Sequence, residues 1–286
     1  MKIAGVQMDV VLGEVDQNLS SIINALEETS AAGAHLTLFP ECALSGYCFD
    51  SKEEAAPFAL TIPGPVTDKL TEACARLNCY TVVGTLELDG NDIYNSALLI
   101  GPAGVVGKYR KVHLPFLGVD RFTTPGRDPY LTFDAGGLQI GMQICYDASF
   151  PEATRCLTIA GADLVVLPTN WPPGAETTAD YCINSRAVEN GIYFMAINRC
   201  GRERGFQFIG RSSIADPFGN TLARAESKER EILYAELDLA RARNKRYQRV
   251  AGKHEIDRLA DRRPEMYQQL IKPHGLSTPH AEHGTN

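Results

Sequence analysis

The stretch Leu138-Gln-Ile-Gly-Met-Gln-Ile-Cys145-Tyr-Asp-Ala-Ser-Phe-Pro151 runs an apolar strand into a cysteine, then into a proline suited to the first turn of a helix. A thiol stands where a strand stops. In α/β proteins the carboxyl ends of strands form the ligand crevice. A nucleophile on a sharp strand-to-helix turn there points outward beside free backbone N–H groups. Free cysteine is ordinarily a small buried hydrophobe, so Cys145 gains meaning only from residues elsewhere in the chain.

Outward from this stretch, Tyr130 to Phe133 and the turn Asp134 to Gly137 precede the strand, and a helix over Glu152 to Ala160, closed by Gly161, follows it. Leu164 to Leu167 is a continuous apolar run that reads as a buried strand stopped at Pro168; its end carries Asn170 and Trp171 in a turn that Pro172 and Pro173 hold exposed. Nearer the start, Asp16 is placed to cap a helix reaching Ala32, with Gly33 ending it, and His35 to Phe39 is a short strand halted by Pro40 that delivers Glu41. Cys42 to Pro65 reads as an irregular excursion that brings Tyr47 and Phe49 over the crevice. A helix with Leu70, Ala73, Cys74 and Leu77 on one face leads to a strand over Tyr80 to Gly84. Hairpin-linked strands over Leu86 to Leu88, Ile93 to Ile100 and Val105 to Tyr109 then end on the basic cluster around Lys111. Further on, the pattern predicts a helix over Thr178 to Asn190, strands over Tyr193 to Asn198, Phe208 to Ile214, Thr221 to Ala225 and Glu231 to Leu237, and a basic helix over Leu239 to Gln248.

Composition excludes several classes. With 286 residues, 44% hydrophobic and 22% charged, the chain has an ordinary globular balance, and a net charge of -7 opposes a nucleic-acid partner by repulsion of phosphates. No stretch is apolar enough to span a bilayer, and no secretory signal precedes the first strand, so neither membrane nor export is expected and the compartment reads as cytoplasmic. The eight cysteines are scattered, which fits reduced thiols. They form no Cys-x-x-Cys and the six histidines no His-x-x-x-His, so no metal is expected; without a Gly-x-Gly-x-x-Gly after a strand, neither is a nucleotide cofactor. One domain over residues 1–275 with a flexible tail over 276–286 is the simplest partition.

With Glu41, Lys111 and Cys145 each ending a separate strand, the chain resembles the nitrilase superfamily of carbon–nitrogen hydrolases. Phe39-Pro40-Glu41, Tyr109-Arg110-Lys111-Val112-His113-Leu114 and Ile144-Cys145-Tyr146-Asp147 are similar to its three ordered motifs, and the likeness covers nearly the whole chain. The resemblance implies an α/β fold, a four-layer α-β-β-α sandwich of two mixed sheets, and a homo-oligomer, a dimer or higher. It implies Cys145 as nucleophile, Glu41 as general base and acid, and Lys111 as stabiliser of oxyanion and thiolate, helped by the Tyr146 backbone N–H. Its supporting second glutamate is matched in position by Asp120, one methylene shorter, and the arginine that many amidase-branch members carry is replaced by Ser149.

The implied activity is hydrolysis of a small-molecule amide through a thioester, with no cofactor. N-carbamoyl hydrolysis and acyl transfer by the same residues are close alternatives, and a non-catalytic scaffold on this fold is the alternative of a different class. Tyr146-Asp147 in place of the Trp-Glu of nitrilases favours amide over nitrile. Tyr47, Phe49, Asn170 and Trp171 are the expected substrate-binding residues. With no arginine at Ser149, neutral amides are expected over carboxylated ones unless Arg199, Arg202 or Arg204 reaches the pocket.

Overall fold

In the computed structural model, which describes residues 1–284, the chain runs β1 (Lys2–Gln7), α1 (Val15–Ala31), β2 (Leu36–Leu38), α2 (Lys52–Ala55), α3 (Pro65–Leu77), β3 (Tyr80–Asp89), β4 (Asp92–Gly101), β5 (Gly104–Arg110), β6 (Thr132–Ala135) and β7 (Leu138–Met142). It continues through α4 (Pro151–Ile159), β8 (Leu164–Thr169), α5 (Ile183–Asn190), β9 (Tyr193–Asn198), a hairpin of β10 (Arg202–Glu203) and β11 (Phe206–Gln207), β12 (Ser213–Ala215), β13 (Thr221–Arg224) and β14 (Glu231–Glu236). The last elements are α6 (Leu239–Arg243), a hairpin of β15 (Arg246–Val250) and β16 (His254–Asp257), and α7 (Pro279–Glu282).

Two six-stranded sheets, ordered β14-β1-β2-β3-β4-β5 and β13-β12-β9-β8-β7-β6, each mix parallel and antiparallel pairs. Side-chain alternation along each strand layers them. Ile3, Val82, Ala97 and Leu99 join Ile140, Val166 and Ile197 of the second sheet in one buried cluster, whereas Val6, Val83, Leu98 and Ile100 pack under α1 and α3 with Leu19, Ile22, Leu26 and Leu70. Gly5 allows the sheets to meet closely, since a Cβ there would lie 2.1 Å from Ile197 Cδ1. Helices α4 and α5 cover the outer face of the second sheet, completing the expected α-β-β-α sandwich.

Several local readings are corrected. Asp16 does not cap α1, which begins at Val15 after Glu14; Asp16 lies in the first turn, where a carboxylate still favours the helix dipole. Strand β8 passes through Pro168 to Thr169, because the β7 ladder has ended at Met142 opposite Val166 and no partner waits there for the missing N–H. The strand read over Phe208 to Ile214 is confined to Ser213–Ala215, since Gly210 and Arg211 both take positive φ. The basic helix stops at Arg243, and β15 follows. Tyr80–Asp89 is a single strand, and the excursion over Cys42 to Pro65 contains the short helix α2. In the segment 276–286, α7 sets His283 against Phe116 with ring centroids 4.5 Å apart; Thr285 and Asn286 lie outside the described residues.

Candidate active site

Strands β2, β5, β7 and β8 all end at one place, and the residues just beyond them are Glu41, Lys111, Cys145 and Asn170. Cys145 opens a 3-10 turn over Cys145–Ser149 with φ at 48°, a left-handed conformation that costs a non-glycine residue energy and fits a tight elbow. Asp147 braces that elbow. Its Oδ2 accepts from Ile144 N at 2.9 Å and Tyr109 Oη at 2.7 Å, and its Oδ1 lies 3.1 Å from the donating His113 N and 2.7 Å from His113 Nδ1. One buried carboxylate thus ties the cysteine turn to the segment that carries Lys111.

Lys111, Glu41 and Asp120 are wholly buried. The Lys111 ammonium donates to Glu41 Oε1 at 2.7 Å and to Asp120 Oδ2 at 2.5 Å. Buried charges survive only when paired in this way. Burial alone would lower the Lys111 pKa, but the carboxylates of Asp120 and Glu41 outweigh it and hold it well above the ordinary lysine value. Burial pushes the Glu41 carboxyl above its ordinary range; Lys111 opposes the shift and Asp120 adds to it. Burial and the neighbouring Glu41 push the Cys145 thiol up to about 12, while Lys111, the Thr169 hydroxyl and the Asn170 backbone act the other way. The resting sulfur is therefore favoured as a thiol, because burial and the Glu41 charge outweigh the pull of Lys111.

Two buried acceptors beside the thiol lack a hydrogen-bond partner, Glu41 Oε2 and Asn170 Oδ1. Such groups are costly unless a ligand or water meets them. Asn170 is itself fixed, its Nδ2 donating to the Glu41 carbonyl at 3.0 Å. Next to this cluster is a cavity of about 380 Å³ lined by Tyr47, Phe49, Phe116, Asn170, Phe206 and Phe208 among others. Tyr47 joins cavity to charge cluster, its hydroxyl lying 2.9 Å from Asp120 Oδ2 and 3.0 Å from Leu117 O. Of the expected substrate-binding residues, Tyr47, Phe49 and Asn170 come together here. Trp171 does not line this cavity; it is 3% exposed and belongs to the main buried cluster, so the two prolines after it do not expose it.

Arg199 is also out of reach, buried against Glu203, Asp9 and the Val10 carbonyl. Arg204 lines the cavity but pairs with Asp50 and Glu54. Arg121, which sequence reading did not consider, lines it too, with Nε and Nη2 donating to the Gly118 and Phe49 carbonyls at 3.0 Å each. Among the described residues no group of histidine, cysteine or acid side chains is arranged to hold a metal.

The family model for carbon-nitrogen hydrolases matches residues 2–247. The chain belongs to that family. Among curated relatives of this carbon–nitrogen hydrolase, a nitrilase of Pyrococcus abyssi is 39% identical, the match covering 93% of this chain and 99% of the relative. An (R)-stereoselective amidase of Pseudomonas sp. is 33% identical over 92% of each chain. Among solved structures, the amidase of Nesterenkonia sp. AN1 in complex with butyramide matches with a TM-score of 0.78 and 26% identity, covering 95% of this chain and 97% of that one. A mutant of that amidase carries the acetamide moiety of fluoroacetamide added covalently at its active site cysteine. The hydrolase described here is thus an enzyme of the nitrilase superfamily with amidase relatives, and the scaffold reading falls away.

Besides Arg121, two residues that hold the site together escaped sequence reading. Asn95 of β4 donates through Nδ2 to Glu41 Oε1 at 2.7 Å and Asp120 Oδ1 at 3.0 Å. Glu203 accepts from Tyr47 N at 3.0 Å and Cys48 N at 2.6 Å, pinning the loop that carries Tyr47. The available signal for Asn95 was a polar residue inside the apolar run Ile93 to Ile100. For Glu203, in a short exposed-looking Arg-Glu-Arg segment, there was none.

Proposed function

We propose that this enzyme hydrolyses a small, neutral primary amide to its carboxylic acid and ammonia through a thioester on Cys145. The observation that carries the reading is the pair of unpartnered buried acceptors, Glu41 Oε2 and Asn170 Oδ1, beside a buried thiol, because an amide NH2 offers the two donors they lack. Cys145 Sγ attacks the carbonyl carbon as its proton passes to Glu41 Oε2. A thiol held near 12 ionises only in step with attack, and a carboxylate raised by burial is a better base for it than an ordinary one. The oxyanion is met by the Lys111 ammonium and the Tyr146 N–H, at the start of the turn where backbone donors are unused. Collapse breaks the C–N bond, Glu41 gives its proton to the departing nitrogen, and ammonia leaves. Glu41 then takes a proton from water as it attacks the thioester carbonyl; collapse breaks the C–S bond and frees the acid, and Glu41 returns the proton to Cys145 Sγ, restoring carboxylate and thiol. Asp120 acts through Lys111, holding its ammonium in place.

Neutral substrates are supported by the aromatic lining of the cavity and by the pairing of Arg204 with its two acids. The butyramide found in complex with a mutant of the Nesterenkonia amidase is a neutral primary amide of this kind. Eight free thiols support a reducing, cytoplasmic compartment. No helix among the described residues is long and apolar enough to cross a membrane. Assembly into a homo-oligomer is what the family likeness supports, and sedimentation would measure it. Ammonia release across butyramide, butyronitrile, an N-carbamoyl amino acid and succinamate tests the substrate reading. Butyramide is expected to give the highest kcat/KM; a preference for succinamate that Arg121→Gln removes would contradict it.

A further inference from the structure

The charge cluster closes into a ring. Lys111 Nζ joins Glu41 Oε1 to Asp120 Oδ2, and Asn95 Nδ2 joins Asp120 Oδ1 back to the same Glu41 Oε1. One amide nitrogen therefore spends both of its protons on two carboxylates. Asn95 is wholly buried, and the orientation of its amide is fixed from behind, where Cys42 Sγ donates to Oδ1 at 3.6 Å. Glu41 Oε1 is thereby given two donors and Glu41 Oε2 none. A carboxylate oxygen already accepting two strong hydrogen bonds is a poor proton acceptor, and the bare one is the basic one.

The geometry points to Asn95 as the positioning residue that selects Glu41 Oε2 as the reacting oxygen and keeps Glu41 ionised beside Asp120. The inference rests on the reading of Glu41 as the base. Two carboxylates around one ammonium carry an excess negative charge where all three groups are wholly buried, and the cheapest relief is a proton on Glu41. The two N–H groups of Asn95 oppose that proton by bonding to the charged forms of both acids. Asn95 never meets the substrate; it acts through Glu41, and Cys42 acts through Asn95.

The test compares Asn95→Leu, of nearly the same shape but without donors, and Asn95→Asp, which keeps the volume and adds a third carboxylate, with the wild-type enzyme. For each, kcat and KM for butyramide are measured from pH 4 to 10, and the fold is followed by thermal unfolding. Asn95→Leu is expected to lower kcat on the order of 10²-fold with KM little changed, and to move the acid limb of kcat/KM upward by about one pH unit. Asn95→Asp is expected to move it in the same direction and further. An acid limb unmoved in both variants overturns the inference, whatever happens to kcat, and should Asn95→Leu fail to fold, the limb of Asn95→Asp alone decides. Glu41→Gln separates the two failures: if it keeps its activity and its acid limb, the reading of Glu41 is wrong, whereas if it is inactive while the Asn95 variants keep the wild-type limb, only the role of Asn95 falls.

Discussion

Cys145 and Glu41 make opposite demands on pH. In the proposed mechanism Glu41 must be deprotonated, and burial has raised its pKa, so activity is expected to be lost below that value and to appear as pH rises through it, above the ordinary carboxylate range. The thiol is pushed up to about 12, so its ionisation imposes no change across the region near pH 8.5 where a free cysteine titrates. The rate of inactivation by iodoacetamide, itself a small amide, is expected to follow the acid limb of turnover and stay flat from pH 7.5 to 9.5. A rate that climbs across that window like a free thiol would place the ionisation on sulfur and remove Glu41 from the step. Lys111→Ala is expected to lower kcat on the order of 10²-fold or more if the ammonium stabilises the oxyanion; a raised KM at unchanged kcat would make it a binding residue.

Elements place these residues by close packing. Gly84 in β3 lies under the Glu41 turn, and a Cβ there would sit 2.5 Å from Cys42 N, 2.6 Å from Pro40 O and 2.7 Å from Glu41 Cα, all backbone atoms that cannot swing away. Gly84→Ala is expected to lower kcat by at least tenfold by displacing Glu41, with a loss of stability of about 1–3 kcal/mol from overpacking; wild-type kinetics in a folded variant would contradict the placement. Asp147 links two elements where Gly84 spaces them. Asp147→Ala strands a buried tyrosine hydroxyl and the Ile144 N–H, costing about 1–3 kcal/mol for each group, and is expected to show as a lower urea midpoint together with reduced turnover. The motifs at Glu41, Lys111 and Cys145 were legible because each is local: an apolar strand, a stop signal and a reactive side chain within a few residues. Asn95 was not, because its meaning comes from register. It stands in mid-strand, and only the pairing of β4 with β5 and the β2 turn brings it to Glu41. Trp171 failed the other way, since its prolines describe a turn but not which side of that turn faces the core.

At the scale of the molecule, the sandwich gathers four strand ends from two sheets, two from each, so that no single layer holds the site. Sheet order and layering could be expected only through the family likeness; alternation alone identified strands without saying which of them pair. The cysteines provide a global test of the same arrangement. Cys42, Cys48, Cys74, Cys79 and Cys200 are buried, Cys156 is exposed and Cys182 intermediate, so a limiting alkylating agent has an open thiol at Cys156 and a site-directed one at Cys145. The measurement that bears most directly on the thioester mechanism is peptide-mapped labelling with iodoacetamide alongside ammonia release from butyramide. Loss of activity should track one equivalent of label at Cys145, slow in the presence of butyramide, and be indifferent to label at Cys156. Full activity with Cys145 alkylated, or inactivation that tracks Cys42, Cys48 or Cys200 instead, would contradict the account.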